Sequence, residues 1–274
     1  MKSILLHLHG DGEPWALIAA ARDLARAVAG HVACVEVPAD PRAGQVAADP
    51  PGHGAHPVPV AGDSALRRRR QAAEQLLQAA GIDSVWRCFA AGVVETLLAE
   101  SRLADVVVIG QPLVPRSGHD RALANVADLL QHIRVPVLLV PPLSDGLAFA
   151  GDAMLAWNGS AEAAQALRGA LPLFARAARV HVVEVADDID PGGADLPTRE
   201  AIAYLARAGI AAECHDWPAK GRRTSAALRD AARELAVGYV VMGGHAHRRT
   251  QSTVLGTVTR EMIETSALPL MLAS

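Results

Sequence analysis

Aromatic residues make up only 3% of the 274-residue sequence, and the only lysines are Lys2 and Lys220. Proteins that bind single-stranded nucleic acid stack the bases on aromatic side chains, so this shortage argues against such a function. Basic residues are not in excess either: up to Pro142 there are 13 basic and 14 acidic side chains, and after it there are 13 and 15. We therefore expect no nucleic acid partner.

Cysteine and long apolar runs are also scarce. The three cysteines, Cys34, Cys88 and Cys214, are odd in number and far apart, which excludes a disulfide framework and fits a reducing cytoplasm. No apolar stretch approaches the ~20 residues of a membrane-spanning helix. The first apolar run is too short for a signal peptide. The sequence therefore predicts a cytoplasmic protein without a membrane partner.

A repeated interval is present instead. An apolar run ends at Gly110 and is followed 26 residues later by Pro136, and a similar run ends at Gly243 and is followed 26 residues later by Pro269. Each proline opens another apolar segment. We therefore predict two related units, residues 1–142 and 151–274, joined by a segment that contains proline, glycine and serine.

Each unit alternates short β-rich runs with helical patterns, which predicts an α/β fold with right-handed βαβ units. Runs such as VVVIG are apolar on both faces, as in parallel strands covered by helices on both sides. The predicted strands are 3–9, 31–37, 84–90, 105–110 and 136–141, then 153–157, 179–185, 210–215, 238–243 and 268–273. The predicted helices are 13–29, 62–80, 92–103 and 120–133, then 160–177, 196–208, 222–236 and 252–266. Ligands of such sheets bind beyond the carboxyl ends of the strands.

The segment that follows the fourth strand of the second unit is the strongest candidate for such a site. Gly243 and Gly244 allow a sharp turn and a close approach of the backbone to a ligand. Gly256 and Thr257 lie near a predicted helix start, where free N–H groups favour phosphate. Arg248, like the arginine after it, can pair with phosphate oxygens. The alternative is a glycine-bearing loop that only allows close packing.

The same segment resembles a known motif. Gly243, two residues, Ala246, nine residues and then Gly256-Thr257 is similar to the nucleotide motif of universal stress proteins, G-x2-G-x9-G-[ST]. The AMLAWNGS segment that starts at Ala153 and the final LPLMLAS segment also resemble that family. The resemblance spans both units. It implies two Rossmann-like, adenine nucleotide alpha hydrolase-like units, each with a five-stranded parallel sheet, that pair through their last strands within one chain. A homodimer is a further option.

The resemblance also implies roles for single residues. Gly243, Gly256 and Thr257 would hold the phosphates of ATP or AMP, with Mg²⁺ accompanying ATP. Asn158 occupies the position of an acidic residue near the base or ribose, in a turn with Gly159. Two departures weaken the match, because Ala246 replaces the second motif glycine and Asn158 carries no charge. The full set of expected nucleotide-binding residues is Asn158, Gly159, Val183, Val185, Gly243, Gly244, Ala246, Arg248, Gly256 and Thr257, of which the two valines would line the adenine slot.

The first unit departs further from the motif. Gly110 is retained, but Leu113 replaces the second glycine and Leu123-Ala124 replaces the Gly-Thr pair. Pro112 and Pro115 remove N–H donors from the loop. We therefore expect no triphosphate in the first unit.

Three weaker patterns remain. His7 and His9 share a face of one strand and could ligate a metal with His53, His56 and His119, but one core histidine, one rim histidine and solvated loop histidines are the favoured explanation. Gly10-Asp-Gly12 resembles a dinucleotide fingerprint, but Trp15 occupies the position that needs a small residue. The basic run from Arg67 to Arg70 spreads around a helix and is typical of a solvated helix start.

The function predicted from all of this is a stress-response protein that binds an adenine nucleotide in its second unit as a sensor or regulatory module. The alternatives are a nucleotide-free scaffold that binds a metal or a small apolar ligand, or a slow ATPase. No carboxylate is evident near the phosphate loop to position water, so we name no catalytic residue. We name no metal ligand either.

Overall fold

The structure is a computed structural model of the whole chain. The residues it describes are 1–9, 14–37, 64–89, 91–112, 119–144, 146–186, 196–244, 246–249 and 252–274. The histidines His53 and His56, Leu113 and the Gly10–Gly12 pattern lie outside the described residues.

The described part of the first half alternates strands and helices. Its strands are β1 (Ser3–His9), β2 (His31–Val37), β3 (Ser84–Cys88), β4 (Val106–Gly110) and β5 (Val137–Val140). Its helices are α1 (Trp15–Val28), α2 (Ser64–Ala79), α3 (Val93–Glu100) and α4 (His119–His132), with a short 3-10 helix, Ser101–Leu103, after α3.

The second half repeats this order and adds a hairpin. Its strands are β6 (Ala153–Trp157), β7 (Val180–Ala186), β8 (Ala212–Pro218), β9 (Tyr239–Gly243), β10 (Ala246–Arg249), β11 (Ser252–Leu255) and β12 (Leu270–Ala273). Its helices are α5 (Ala161–Phe174), α6 (Thr198–Arg207), α7 (Thr224–Glu234) and α8 (Thr257–Thr265).

Ten of these strands form one sheet, in the order β3-β2-β1-β4-β5-β12-β9-β6-β7-β8. The order β3-β2-β1-β4-β5 matches β8-β7-β6-β9-β12, so both halves have the same topology. All neighbours are parallel except at the centre, where β5 and β12 run antiparallel with Leu138 opposite Met271. The predicted α/β class and the five parallel strands of each half are confirmed.

Helices cover both faces of this sheet, which explains why the central strands are apolar on both sides. Helices α1, α2, α5 and α6 pack on one face, where Leu24 and Leu205 are fully buried. Helices α3, α4, α7 and α8 pack on the other, where Leu130 and Ile263 are fully buried. Aliphatic side chains therefore build both cores, as the scarcity of aromatics indicates.

Three of the few aromatic residues anchor the segment between the halves. Phe149 packs edge-on against the buried Tyr239 with ring centroids 5.4 Å apart, and Phe174 stacks on Tyr239 at 6.5 Å. Asp23 accepts a hydrogen bond from the backbone N–H of Leu147 at 3.0 Å. The joining segment is therefore packed against both halves.

One predicted helix has a wrong start. The sequence pattern favours a helix over 252–266, but residues 252–255 form strand β11, and α8 begins at Thr257. The β-branched residues Thr253 and Val254 suit a strand, and β11 pairs antiparallel with β10, with Ala246 opposite Leu255. The loop expected after Gly244 is therefore largely a hairpin.

In the described part of the chain, every helix is too short or too polar to cross a membrane.

Candidate functional site

A cavity of about 380 Å³ lies at the carboxyl ends of β6 and β9, the location that a parallel sheet favours for ligands. The first turns of α5 and α8 and one side of α7 complete its walls. Its lining residues are Ala156, Trp157, Asn158, Ser160, Glu162, Val185, Thr224, Leu228, Met242, Gly243, Gly256, Thr257, Val258 and Thr259. Five of the ten residues expected from the sequence are therefore brought together: Asn158, Val185, Gly243, Gly256 and Thr257.

Gly243 lies at the end of β9, where the backbone passes very close to the start of α5. A Cβ at this position would come within 2.8 Å of the backbone nitrogen of Ala163 and within 3.0 Å of atoms of Glu162. Contacts this short do not occur without a shift of the backbone. Glycine is therefore required by the packing of β9 against α5, which brings the cavity wall close to the strand end.

The turn after β6 is organised by its own polar side chains. The Asn158 carboxamide oxygen accepts hydrogen bonds from the Ser160 backbone N–H at 3.2 Å and from the Ser160 hydroxyl at 2.8 Å. Gly159 between them has a φ of +74°, which glycine adopts without strain. Ser160 in turn accepts a hydrogen bond from the backbone N–H of Ala163 at 3.2 Å and so caps α5. These hydrogen bonds hold the Asn158 side chain in the turn at the cavity.

The start of α8 has no such cap. Gly256 is the N-cap residue and has no side chain that could accept a hydrogen bond, and the first turn contains no acidic residue. The first N–H groups of a helix have no partner within the helix, and the helix dipole adds partial positive charge there. Thr257 is exposed at the first helical position. The uncapped end of α8 therefore presents N–H donors at the cavity.

Helices α7 and α8 are tied together beside the cavity. Ser225 and Arg223 both donate hydrogen bonds to the carboxylate of Glu261. These bonds, with the bond from Ser225 as the largest cause, lower the pKa of Glu261 below its ordinary value. The wall that carries Thr224 and Thr257 is therefore held by a charged hydrogen-bond network.

The floor of the cavity is apolar. Ala156, Met242 and Val185 come from three strands of the sheet and face the space between α5, α7 and α8. Val183 lies on the same side of β7 as Val185 but is fully buried in the core and does not line the cavity. Of the two valines expected at an adenine ring, the structure places only Val185 at the cavity.

The remaining expected residues are not among the described residues that line the cavity. Gly244 is buried, and a Cβ there would lie 3.3 Å from Leu130 of α4 and from Leu272 of β12. Ala246 and Arg248 belong to β10, and their side chains lie outside the described parts of the structure. Gly159 sits in the Asn158 turn and supplies its positive φ.

Sequence reasoning missed several lining residues, among them Ser160, Glu162, Thr224 and Leu228. Ser160 was visible as an N-cap signal, since this serine opens the predicted helix and Glu162 follows in its first turn. Thr224 and Leu228 come from α7, and only the packing of that helix brings them to the cavity.

No protein-family model matches the sequence, and no curated protein matches it. Solved structures do share its fold. A universal stress protein from Archaeoglobus fulgidus DSM 4304 superposes with a TM-score of 0.64 at 15% identity, over 98% of both chains. A protein of unknown function from Pseudomonas aeruginosa PAO1 and a candidate universal stress protein from Pseudomonas aeruginosa UCBPP-PA14 each give 0.62 at 15% identity, over 99% of this chain and 92% of theirs. The chain therefore has the α/β fold seen in universal stress proteins.

Proposed function

We propose that the second half binds an adenine nucleotide, ATP or AMP, in the cavity at the ends of β6 and β9. The observation that carries this proposal is the meeting, in one cavity, of the uncapped start of α8, the close-packed Gly243 and the hydrogen-bonded Asn158 turn. The chain then acts as a cytoplasmic stress-response protein whose shape or partner contacts depend on nucleotide occupancy.

The phosphates fit best at α8. Its free N–H groups and the hydroxyl of Thr257 are donors, and phosphate binds readily at such a helix start. The first turn of α5 is a poorer seat, because Ser160 already caps it and the Glu162 carboxylate lines the cavity there. The phosphate chain therefore lies toward α8, away from Glu162.

The base fits over the apolar floor. Val185 and Met242 provide an apolar surface, and the amide nitrogen of Asn158 is a donor at its edge. A cavity of about 380 Å³ lies within the range of roughly 300–1,000 Å³ that is common for small-molecule sites. When ATP binds, Mg²⁺ would neutralise part of its phosphate charge.

We also propose that residues 1–142 and 151–274 act as two units that pair within the chain. The antiparallel pairing of β5 with β12 supports this, because it joins the strands of the two halves in one sheet. A stress-response role is supported by the fold shared with the Archaeoglobus fulgidus protein, which is called a universal stress protein.

Calorimetric titration of the full chain with ATP and AMP, with and without Mg²⁺, tests the nucleotide proposal. We expect one nucleotide per chain, and Gly256→Leu should abolish binding because its side chain would cover the helix start. Gly92→Leu is the matched control, since Gly92 is also an N-cap glycine with no side-chain cap and has similar backbone angles, φ −65° and ψ 142°. Gly92→Leu should bind normally.

A wild-type chain that gives neither heat nor a thermal shift at millimolar nucleotide would contradict the proposal. Equal loss of binding in Gly256→Leu and Gly92→Leu would contradict the phosphate seat at α8, because the effect would then not be specific to that helix.

A second candidate, a small apolar ligand without phosphate, is favoured by the apolar floor of Val185, Leu228 and Met242. Native mass spectrometry of the purified protein distinguishes the two. A bound species that lacks phosphorus and is not displaced by ATP would support the apolar ligand.

A further inference from the structure

A second polar cluster lies near the amino ends of β6, β7 and β8, whereas the cavity lies at the carboxyl ends of the strands. His181 is near the start of β7, and Glu213 and His215 are on the same side of the neighbouring strand β8. Asp152 immediately precedes β6. Strand β8 is an edge of the ten-stranded sheet, so one side of the cluster is open to solvent.

The three side chains offer ligand atoms that converge on one point. His181 Nδ1 lies 3.0 Å from His215 Nε2 and 3.7 Å from Glu213 Oε2, and His215 Nε2 lies 3.9 Å from Glu213 Oε2. A triangle with these edges has a circumscribed radius of about 2.1 Å, which equals the usual bond length from zinc to imidazole or carboxylate. One ion therefore reaches all three atoms without moving them.

The edges of the triangle also discriminate between metal geometries. With bonds of about 2.1 Å, ligand atoms are about 3.4 Å apart in a tetrahedral site and about 3.0 Å apart in an octahedral one. The edge between the two histidines, 3.0 Å, equals the octahedral value, whereas the other two, 3.7 and 3.9 Å, exceed even the tetrahedral value. Taken together, the three edges lie nearer the tetrahedral value, and the two imidazole ligands also suit zinc.

His181 is held in the tautomer that a metal needs. Its Nε2 lies 3.3 Å from Asp152 Oδ2, so a proton on Nε2 is donated to this carboxylate and Nδ1 keeps its lone pair. Carboxylates often orient metal-binding histidines in this way.

We propose that His181, Glu213 and His215 form a zinc site at the edge of the sheet, with Asp152 orienting His181. The three protein ligands leave a fourth position open, as in zinc sites that keep a water molecule. The His181 side chain is only 4% exposed, whereas those of His215 and Glu213 are 25% and 55% exposed. The open position therefore faces solvent, and the metal fastens the edge strand β8 to β7.

The test is a zinc titration of the full chain after removal of metals with a chelator, monitored with a competing chromophoric chelator. We expect one Zn²⁺ per chain, and Co²⁺ in its place should give the visible absorption of a tetrahedral site. His181→Ala should abolish binding, and Asp152→Asn should weaken it by about 10–100-fold.

Two controls separate this site from others. Cys214→Ser removes the exposed thiol next to the cluster, and His132→Ala removes an exposed histidine on α4. Both should keep full zinc affinity. Glu213→Gln changes an exposed side chain that does not support the core, so it should fold normally and still lose at least tenfold in affinity.

Three results would overturn the proposal. The first is a wild-type chain that takes up no zinc at micromolar concentration. The second is one zinc per chain in a folded His181→Ala/His215→Ala double variant, and the third is unchanged affinity in Glu213→Gln, because in both cases the metal would be bound by other residues.

Discussion

The two halves share one topology but differ where their fourth strands end. At the end of β9, a Cβ on Gly243 would come within 2.8 Å of backbone at the start of α5. At the end of β4, the one contact that a Cβ on Gly110 would make with the described residues is to the Leu17 side chain, at 3.8 Å. The glycine therefore packs tightly against a helix start in the second half, and the described residues of the first half make no such close approach to it.

The last helix of each half begins at a different position relative to the motif. In the second half α8 begins at Thr257, so its free N–H groups lie at the position of the Gly-Thr pair. In the first half α4 begins at His119, so Leu123 and Ala124 lie inside the helix and their N–H groups are directed along it. The two halves keep the sheet, but only the second has a free helix start at this position.

Alanine substitution at the two glycines gives the largest expected contrast. Both have ordinary φ values, so the effect of a methyl group is steric. Gly243→Ala should lower the free energy of unfolding by about 2–3 kcal/mol, because the methyl group is forced against backbone. Gly110→Ala should change it by less than about 0.5 kcal/mol. Urea unfolding of both variants measures the difference.

Nucleotide titration of the same two variants sharpens the result. Gly243→Ala should also weaken ATP binding, whereas Gly110→Ala should leave it unchanged. Equal stability of the two variants would show that the start of α5 can move away from β9. Glycine would then not be required at position 243.

The next residue in each half provides a second, smaller contrast. Gln111 follows β4, and its Nε2 donates hydrogen bonds to the carbonyl oxygens of Ile263 at 2.5 Å and Ser266 at 3.0 Å. It thus caps the end of α8 from the other half of the chain. Gly244, at the corresponding position after β9, has no side chain and instead makes room for Leu130 of α4.

Gln111→Ala should lower the free energy of unfolding by about 1 kcal/mol, since two carbonyl groups lose their donor. The matched control is Gln165→Ala, because Gln165 only accepts a hydrogen bond from Arg168 on the surface of α5. Chemical unfolding of both variants, read at their midpoints, measures the effect. A midpoint of Gln111→Ala that equals the control would show that water replaces the glutamine at α8.

Some of these features could be predicted from the sequence alone. The runs that form β4 and β9 were predicted within one residue, because Val and Ile repeats covered on both faces leave few alternatives to a buried strand. The same holds for the glycine-to-proline interval, which reflects the matching order of the strands. Local pattern was sufficient there because each segment is specified by its own residues.

The cavity and the zinc cluster depend on partners that are distant in sequence. Hairpin β10–β11 needs its pairing register, so the helix pattern over 252–266 was misleading. Val183 and Val185 share a face of β7. Only the packing of the helices over that face decides that Val183 is buried in the core and that Val185 lines the cavity. His181 and His215 become neighbours only through the register of β7 and β8, which pairs Val183 with His215.

The smallest expected difference is between the edge strands β3 and β8, and it concerns only the reactivity of their cysteine thiols. Each carries a cysteine, but Cys88 is buried and Cys214 is exposed. Partial burial and the nearby carboxylates of Asp216 and Glu184 raise the pKa of Cys214. Since the thiolate is the reactive form, labelling of Cys214 should speed up with pH and continue to do so above the ordinary thiol pKa.

A disulfide reagent added to the native protein should therefore modify one thiol per chain quickly, and three after denaturation. The remaining native thiols, Cys34 and Cys88, are protected by burial, which also raises the pKa of each. Cys214→Ser should remove the fast phase without changing the free energy of unfolding by more than about 0.5 kcal/mol. If a fast thiol remained in Cys214→Ser, the thiol of Cys88 on β3 would be as accessible as that of Cys214 on β8, and the two edges of the sheet would then be equivalent.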